Sequence, residues 1–376
     1  MEIKTLSTTP GIPHNDTFES FCEKYKIDED IECYQFFFCP WGTGTSFEDL
    51  NRIDFKSRVV ILNVIDSIVD RNDNVAIKEL KDFCECHPEQ NFILLSPHFN
   101  LKKQLDIPNL YSDAIMPTLL TEPYRRCEKK DISNRFISLC NETKLHKVLT
   151  ISYLLSKDYG KNGDFTFNFN HEILAQPLHY KNLGVMPEEL RGSFAKGYKL
   201  FKNKNFNVLD VEPLQDKDTL NPAENYNNII SYVYENCAVE IVTGTVFFES
   251  SPVLSEDKEI QSVYSKNFPI FLNGVGMVSE MKKFFDIDVF EDIIDHSYDE
   301  IENHFERLAA AIDRNEKLLN GSMNIKELWF DNRDRFDYNC NKIQSMLFDG
   351  SYQKVFNFKK IEKALSHFNV TFSLHE

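Results

Sequence analysis

Short apolar runs alternate along the chain with segments whose apolar residues recur at helical spacing. The runs are bounded by Gly, Pro, Ser or Asn, which is typical of strands buried on both faces of a parallel sheet. Strands that alternate with helices indicate βαβ units, so the pattern predicts an α/β fold with parallel sheets. The predicted strands are 32–40, 58–66, 91–98, 135–140, 164–170, 238–243 and 269–274. The predicted helices include 75–86, 187–202, 256–266, 277–285, 298–319 and 323–347.

The stretch 238–276 carries the clearest pattern for a binding site, because it is predicted as strand, loop, helix and strand. Ligands of parallel sheets bind beyond the carboxyl ends of the strands, which places the rim of a site at 243–259. Ser255 is a candidate N-cap, and the free backbone N–H groups of such a helix start suit a phosphate. Carboxylates on this rim can accept hydrogen bonds from the vicinal hydroxyls of a ribose. The candidates are Glu249, Glu256 and Glu259. The alternative is that Glu256 and Asp257 only complement the helix dipole and that Glu259 is solvated.

Length and charge limit the class of protein. The chain has 376 residues, of which 42% are hydrophobic, and this length favours two domains. Its formal net charge of −17 discourages non-specific adhesion to nucleic acid or anionic membrane. No apolar run approaches the ~18 residues of a membrane span, and 1–13 lacks the apolar core of a signal peptide. We therefore expect a soluble, cytoplasmic protein.

The cysteines predict reduced thiols rather than a metal centre. There are nine, scattered along the chain, which suits buried thiols of a reducing compartment. Cys84, Cys86 and His87 form a C-x-C-H sequence, but a structural zinc site needs a second pair of ligands at recognisable spacing. No metal is expected.

A glycine loop follows the first predicted strand. Gly42, Thr43 and Gly44 allow a tight turn, and Thr45 with Glu48 predicts a capping box for the next helix. A glycine loop between a strand and a helix can cradle an anion or let a ligand approach the backbone. A plain strand-to-helix turn explains the same residues equally well.

Two titratable residues end predicted strands of the amino-terminal half. Asp66 follows the strand 58–66 and His98 ends 91–98, at the edge where a parallel sheet presents functional side chains. Either is a candidate general base. The alternative is that each only caps a strand end by hydrogen bonding to the backbone.

A cluster of cations opens the helix after the strand 135–140. Lys144, His146 and Lys147 lie in its first turn, where the positive end of the helix dipole disfavours them unless an anion is bound. Phosphate is the obvious anion. Arg191, near the start of the helix 187–202, is a further candidate.

Three segments resemble a group of glycosyltransferases of bacteria and their phages that are related to fucosyltransferases. The sequence SLCNETKLHK is similar to the family's strand end and following basic turn, with lysines where the family has arginines. The matching positions are Asn141, Lys144, His146 and Lys147. The segment from Val242 to Phe271 corresponds to a later family element, but Gly244 stands where the family has Glu and SEDKE replaces its Thr-Glu-Lys triplet. A third segment, VFEDIIDHSYDEIENHFERL, matches the family at Asp295, Ser297, Tyr298, Asp299 and Arg307.

The resemblance implies the GT-B fold, with two Rossmann-like domains and carboxy-terminal helices. The implied ranges are 1–130 for the acceptor domain, 131–322 for the nucleotide-sugar domain and 323–376 for the helices, whose packing against the first domain is left open. The two lysines would neutralise the diphosphate leaving group, so no metal or other cofactor is required. The implied donor-binding set is Asn141, Lys144, His146, Lys147, Arg191, Thr243, Glu249, Ser255, Glu256, Lys258 and Glu259. Gly42, Thr43 and Gly44 would form an acceptor-side loop, and Asp66 or His98 would act as the base.

Three functions are consistent with the sequence. The first is transfer of a sugar from a nucleotide-sugar to a hydroxyl of a saccharide or glycan, with inversion and retention both open. The second is glycosylation of modified bases in phage DNA, which the acidic balance disfavours because duplex binding needs a basic surface. The third is a non-catalytic nucleotide-binding or scaffold protein on a degenerate transferase fold, which Gly244 and the altered triplet suggest.

Overall fold

A computed structural model describes most of the chain. The described residues are 2–6, 17–36, 46–64, 75–96, 107–114, 127–140, 145–167, 185–204, 206–209, 233–244, 257–348 and 350–375. They form two compact units. One comprises described residues within Met1–Glu122 and Ser345–Glu376, and the other comprises those within Pro123–Ser250 and Glu256–Gln344.

Strands and flanking helices make up both units. The strands are β1 (Glu2–Thr5), β2 (Tyr25–Ile27), β3 (Ile31–Phe36), β4 (Val59–Val64), β5 (Asn91–Ser96), β6 (Leu110–Ala114), β7 (Phe136–Cys140), β8 (Gly163–Phe167), β9 (Asn207–Val208), β10 (Val239–Thr243), β11 (Phe268–Leu272) and β12 (Phe372–Leu374). The helices are α1 (Thr17–Lys24), α2 (Phe47–Leu50), α3 (Val75–Cys86), α4 (Leu145–Ser156), α5 (Glu188–Lys202), α6 (Asp257–Tyr264), α7 (Met277–Phe285), α8 (His304–Arg314), α9 (Glu316–Leu319), α10 (Ile325–Asp331), α11 (Arg333–Ile343) and α12 (Gly350–His367). A short 3-10 helix at Tyr159–Asn162 precedes β8, and a π-helical turn at Gln344–Phe348 follows α11.

The first unit contains a five-stranded parallel sheet in the order β1-β3-β4-β5-β6. Neighbouring strands keep their register, so Cys33, Ile61 and Ile93 fall in one row across the sheet. This row packs on apolar side chains of α1 and α12. The alternate row packs on α2 and α3 and consists of Tyr34, Leu62 and Leu94. Both faces of the sheet are buried, which explains why the central strands carry apolar residues on both faces.

The second unit contains a five-stranded parallel sheet in the order β11-β10-β7-β8-β9. From β7 the chain adds β8 and β9 on one side, then returns to add β10 and β11 on the other. This reversal is the strand order of a Rossmann-like half, and it creates a topological switch point between β7 and β10. The predicted α/β class, with two parallel sheets and carboxy-terminal helices, is confirmed.

Two long predicted helices are interrupted in the structure. The helix predicted over 298–319 begins only at His304, because Asn303 caps it by accepting the N–H groups of Phe305 and Glu306. It also ends at Arg314, since the buried Asn315 amide accepts the N–H of Asp295 and donates to Ala311 O. The helix predicted over 323–347 is likewise divided into α10 and α11.

The capping box was predicted one residue early. Ser46, not Thr45, caps α2, and Asp49 rather than Glu48 returns its side chain to the cap backbone. Ser and Asp perform the same reciprocal capping as the predicted Thr and Glu. Within the described ranges, no helix is long and apolar enough to cross a membrane.

Candidate active site

The carboxyl ends of β7 and β10 are held together at the switch point. Thr243, the last residue of β10, donates from its hydroxyl to the carbonyl of Leu139 over 3.5 Å, and its Oγ1 lies 3.6 Å from Cys140 Sγ. Thr243 is buried, so its hydroxyl is used between the two strands. The predicted rim residue therefore ties the site's two strands together. Ligands bind outside such a pair of strand ends.

Helix α4 places two of the predicted cations beside this point. It begins at Leu145, five residues after the end of β7, so its first turn lies at the carboxyl edge of the sheet. His146 and Lys147 both lie in that turn and are buried. A buried ammonium is retained only where acceptors or anions meet it. The turn, which we call the cationic turn after its two basic side chains, thus brings these side chains and its backbone N–H groups to the switch point.

Helix α5 holds α4 at very close range. An added Cβ on Gly197 would lie 1.7 Å from the carbonyl oxygen of Ser152, so only glycine permits this approach of the two backbones. Lys196 Nζ donates to Ser156 O over 2.8 Å, and the Tyr153 ring packs on Phe194. The position of the cationic first turn therefore depends on the packing of α4 against α5.

A carboxylate lies at the other side of β10. Glu259, in the first turn of α6, is buried and its Oε1 accepts a 2.7 Å hydrogen bond from Asn273 Nδ2. Asn273 directly follows β11, and Gly244 directly follows β10. An added Cβ on Gly244 would lie 2.4 Å from Asn273 Nδ2 and 2.9 Å from Glu259 Oε1. Glu259, Asn273 and Gly244 thus form one polar cluster at the ends of adjacent strands, which we call the glutamate cluster.

The fold therefore brings the cationic turn and the glutamate cluster to the same sheet edge, on either side of the end of β10. The remaining described candidates are less closely associated with it. Arg191 is exposed, and its guanidinium turns back to the carbonyl of Met186 at 3.4 Å, in the helix that follows β8. Lys258 is half-buried in the first turn of α6.

Several predicted residues lie outside the described ranges. They are Gly42, Thr43, Gly44, Asp66, His98, Asn141, Lys144, Glu249, Ser255 and Glu256. Their assignments stay predictions.

A cavity of about 660 Å³ opens beside the first turn of α7, which follows β11 at the same sheet edge. Carboxylates outnumber cations in its lining. The charged and titratable lining residues are Lys282, Glu291, Asp292, Asp295, His296, Asp299 and Glu300. Such walls repel a diphosphate, whereas hydroxyl groups can donate to them.

Asp299 connects this cavity to the start of α7. Its Oδ2 accepts the backbone N–H of Val278 at 2.9 Å and of Ser279 at 3.4 Å. Burial nevertheless raises the pKa of Asp299 from 3.8 to about 7. Burial also lowers the pKa of His296, whose Nε2 lies 2.7 Å from Val289 O. Burial therefore favours the neutral form of both side chains, the protonated Asp299 and the deprotonated His296.

Some residues of this edge were not predicted as site residues. Asp295, Ser297 and Asp299 matched the family pattern, and that match was a usable signal for the cavity they line. Asn273 had no such signal, since an Asn after a strand is commonplace.

Among the described residues, no group of three or more His, Cys, Asp or Glu side chains is placed to hold a metal ion. In the C-x-C-H sequence, Cys84 is buried and Cys86 is exposed. The His87 ring packs against Phe55 and Phe83 instead.

No protein-family model matches the chain, and no curated protein matches it significantly. Among solved structures, the chain is similar to TarM, a glycosyltransferase of the GT-B type, with a TM-score of 0.43 and 14% sequence identity. The match covers 90% of this chain and 54% of TarM, so the chain spans about half the length of that protein. At this score and identity the likeness carries no argument about activity. The resemblance to fucosyltransferase-related enzymes stays a prediction.

Proposed function

We propose that the protein is a glycosyltransferase of GT-B type that binds a nucleotide-sugar donor at the carboxyl ends of β7 and β10. One observation carries the proposal: a Rossmann-like switch point has a helix start with two buried basic side chains on one side and a buried carboxylate on the other. A nucleoside diphosphate has the complementary pair of groups, an anionic pyrophosphate and a ribose diol. Dinucleotides and nucleotides are bound at this position in Rossmann-like sheets generally.

In this proposal the diphosphate lies over the first turn of α4. Lys144 and the backbone N–H groups of the turn meet the phosphate oxygens, and His146 lies in the same turn. Lys147 has no exposed surface, and its charge would act on the phosphates through the protein interior. The low dielectric of the interior screens that charge less than water does. These groups stabilise the negative charge that develops on the leaving diphosphate, so a metal is not required.

Glu259 would accept the hydroxyls of the ribose. The acidic cavity beside α7 would repel the phosphates, so the phosphates would bind at the first turn of α4. The acceptor would meet the first unit, through the loop at Gly42, Thr43 and Gly44, with Asp66 or His98 as the base that deprotonates its hydroxyl. A saccharide or glycan is the proposed acceptor. Neither glycosylation of DNA bases nor a non-catalytic scaffold is favoured by a specific feature of the described residues.

A binding experiment with a matched pair of variants tests this proposal. The probes are UDP, GDP and CMP together with sugars linked to each of them, and the readout is the melting temperature followed by calorimetric affinity. At a hundred times its dissociation constant, a bound nucleotide adds about 2.7 kcal/mol to the free energy of unfolding.

We expect Lys144→Ala to weaken binding of the preferred nucleotide at least about tenfold, because it removes a charge-assisted contact to phosphate. Lys161→Ala is the control, since Lys161 pairs with Asp158 just before the amino end of β8. Equal loss in both variants, or no stabilisation of the natural protein by any probe, would exclude the proposed donor site.

A further inference from the structure

We propose that Asn273 is a positioning residue for Glu259, and that Gly244 is a glycine because the Asn273 amide occupies the space of its side chain. The inference rests on the proposed function, since it assigns Glu259 to the donor ribose. It goes further by naming what sets the orientation of that carboxylate. The residues concerned come from the ends of β10 and β11 and from the first turn of α6.

The Asn273 amide is oriented by the backbone. Its Oδ1 accepts the N–H of Gly274 at 2.6 Å, which leaves Nδ2 to donate to Glu259 Oε1 at 2.7 Å. A flipped amide would place Nδ2 against the Gly274 N–H, two donors facing each other. Asn273 and Glu259 are both 1% exposed, so the amide has little room to rotate. The donor direction toward Glu259 is therefore determined by the fold.

The space at Gly244 completes this arrangement. An added Cβ would lie 2.4 Å from Asn273 Nδ2 and 2.8 Å from its Cγ, so even alanine forces the amide to move. The backbone of Gly244 cannot retreat easily, because its N–H donates to Leu272 O at 2.9 Å. Glycine is therefore required at this position because there is no space for a Cβ, and not because of its backbone conformation. A larger residue at this position would disturb the bond to Glu259.

A fixed carboxylate suits recognition of a diol. An ionised carboxylate offers about four lone-pair sites, so the hydrogen bond from Asn273 occupies only part of its accepting capacity. Holding its plane before binding removes part of the entropic cost of ordering it on the ligand. Loss of Asn273 should therefore affect the ribose contact and spare the phosphate contacts.

The test compares ribose with deoxyribose. Calorimetry with UDP and 2′-deoxy-UDP, or with GDP and 2′-deoxy-GDP if guanine is preferred, gives a discrimination ratio for each protein. We expect the natural protein to prefer the ribonucleotide at least about tenfold, since a buried acceptor rejects a ligand that lacks the matching hydroxyl. We expect Asn273→Ala and Gly244→Ala each to reduce this ratio to about one-third or less. The deoxynucleotide should bind both variants nearly as well as it binds the natural protein.

Two further variants make the outcome decisive. Asn324→Ala is the control, since it removes another Asn–Glu bond of 3.0 Å at the start of α10, and it should keep the full ratio. If Asn273→Ala does not fold, as judged by circular dichroism, the nearly isosteric Asn273→Asp serves instead and should also lower the ratio. An unchanged ratio in a folded Asn273 variant, or equal weakening of both nucleotides, overturns the inference while leaving the donor site standing. Absence of any nucleotide binding to the natural protein overturns the proposed function itself.

Discussion

Substitution of Gly197 by alanine tests the packing that positions the proposed phosphate site. Gly197 lies in α5 against Ser152 of α4, and an added Cβ would approach the carbonyl oxygen to 1.7 Å and the carbonyl carbon to 2.5 Å. These are backbone atoms, so no side-chain rotation can relieve the overlap. The two helices must separate, and α4 carries His146 and Lys147.

The magnitude follows from two opposing effects. Overpacking a well-packed interface costs about 3 kcal/mol at the upper end of the usual range, and this contact is with backbone. Replacing glycine by alanine within a helix returns about 1 kcal/mol. We therefore expect Gly197→Ala to lower the free energy of unfolding of the second unit by about 2 kcal/mol.

Gly192 supplies a matched control in the same helix. An added Cβ there meets nothing within 4 Å, so Gly192→Ala should gain about 1 kcal/mol through helix propensity alone. The assay is urea unfolding followed by the fluorescence of Trp329, in a Trp41→Phe background so that the signal comes from the second unit. Trp329 is buried in α10 and stacks on Phe336, so its emission reports loss of that core.

The two variants should shift the urea midpoint in opposite directions. Gly197→Ala should also weaken binding of UDP or GDP, whereas Gly192→Ala should not. If Gly197→Ala is as stable as Gly192→Ala, the close approach of α4 and α5 is wrong, and with it the placement of the cationic turn.

Two further predictions concern the titratable side chains Asp299 and Lys129 of the second unit. Burial raises the pKa of Asp299 from 3.8 to about 7, so between these pH values the native protein retains a proton that the unfolded chain releases. The contribution of Asp299 to the free energy of unfolding therefore falls as pH rises from about 4 to about 7, by up to about 4 kcal/mol. Asp299→Asn should remove that pH dependence in urea titrations at pH 5 and pH 7.5. The control Asp334→Asn, at an exposed position, should keep it. Parallel pH profiles for the natural and Asp299→Asn proteins would contradict the reasoning. Lys129→Ala should cost about 3 kcal/mol, because Lys129 Nζ donates to the carbonyls of Tyr234 and Cys237 and to Asn267 Oδ1, which would lose their donor. Lys130→Ala, which removes only an exposed pair with Glu235, should cost less than about 1 kcal/mol, and equal costs would refute the assignment.

The strands of both sheets were predictable where they are buried on two faces. The apolar runs at β3, β4, β5, β7, β10 and β11 have no other plausible location than the centre of a parallel sheet. The edge strands β1 and β6 were missed, because EIKT and LYSDA include charged residues that an edge position tolerates. Periodicity likewise predicted α7 and α3 with the observed bounds, yet it passed over the asparagines that divide the longer carboxy-terminal helices.

The site was predictable in residue type but not in arrangement. Glu259 was a candidate because carboxylates hold ribose, and the structure gives it a defined partner in Asn273. Thr243 was placed on the rim, but its hydroxyl is directed to Leu139 of the neighbouring strand. Such contacts join residues that are distant in sequence, so no local pattern specifies them. The sequence likewise left open whether the carboxy-terminal helices pack on the first domain. In the structure, Phe358, Ile361 and Leu365 of α12 cover one face of the first sheet.

The most direct measurement of the central claim is a crystal structure of the protein grown with UDP or GDP at millimolar concentration. The account predicts the pyrophosphate over the carboxyl ends of β7 and β10, against the first turn of α4, with the ribose hydroxyls on Glu259. A nucleotide seated elsewhere, or a pyrophosphate within the acidic cavity beside α7, would contradict it.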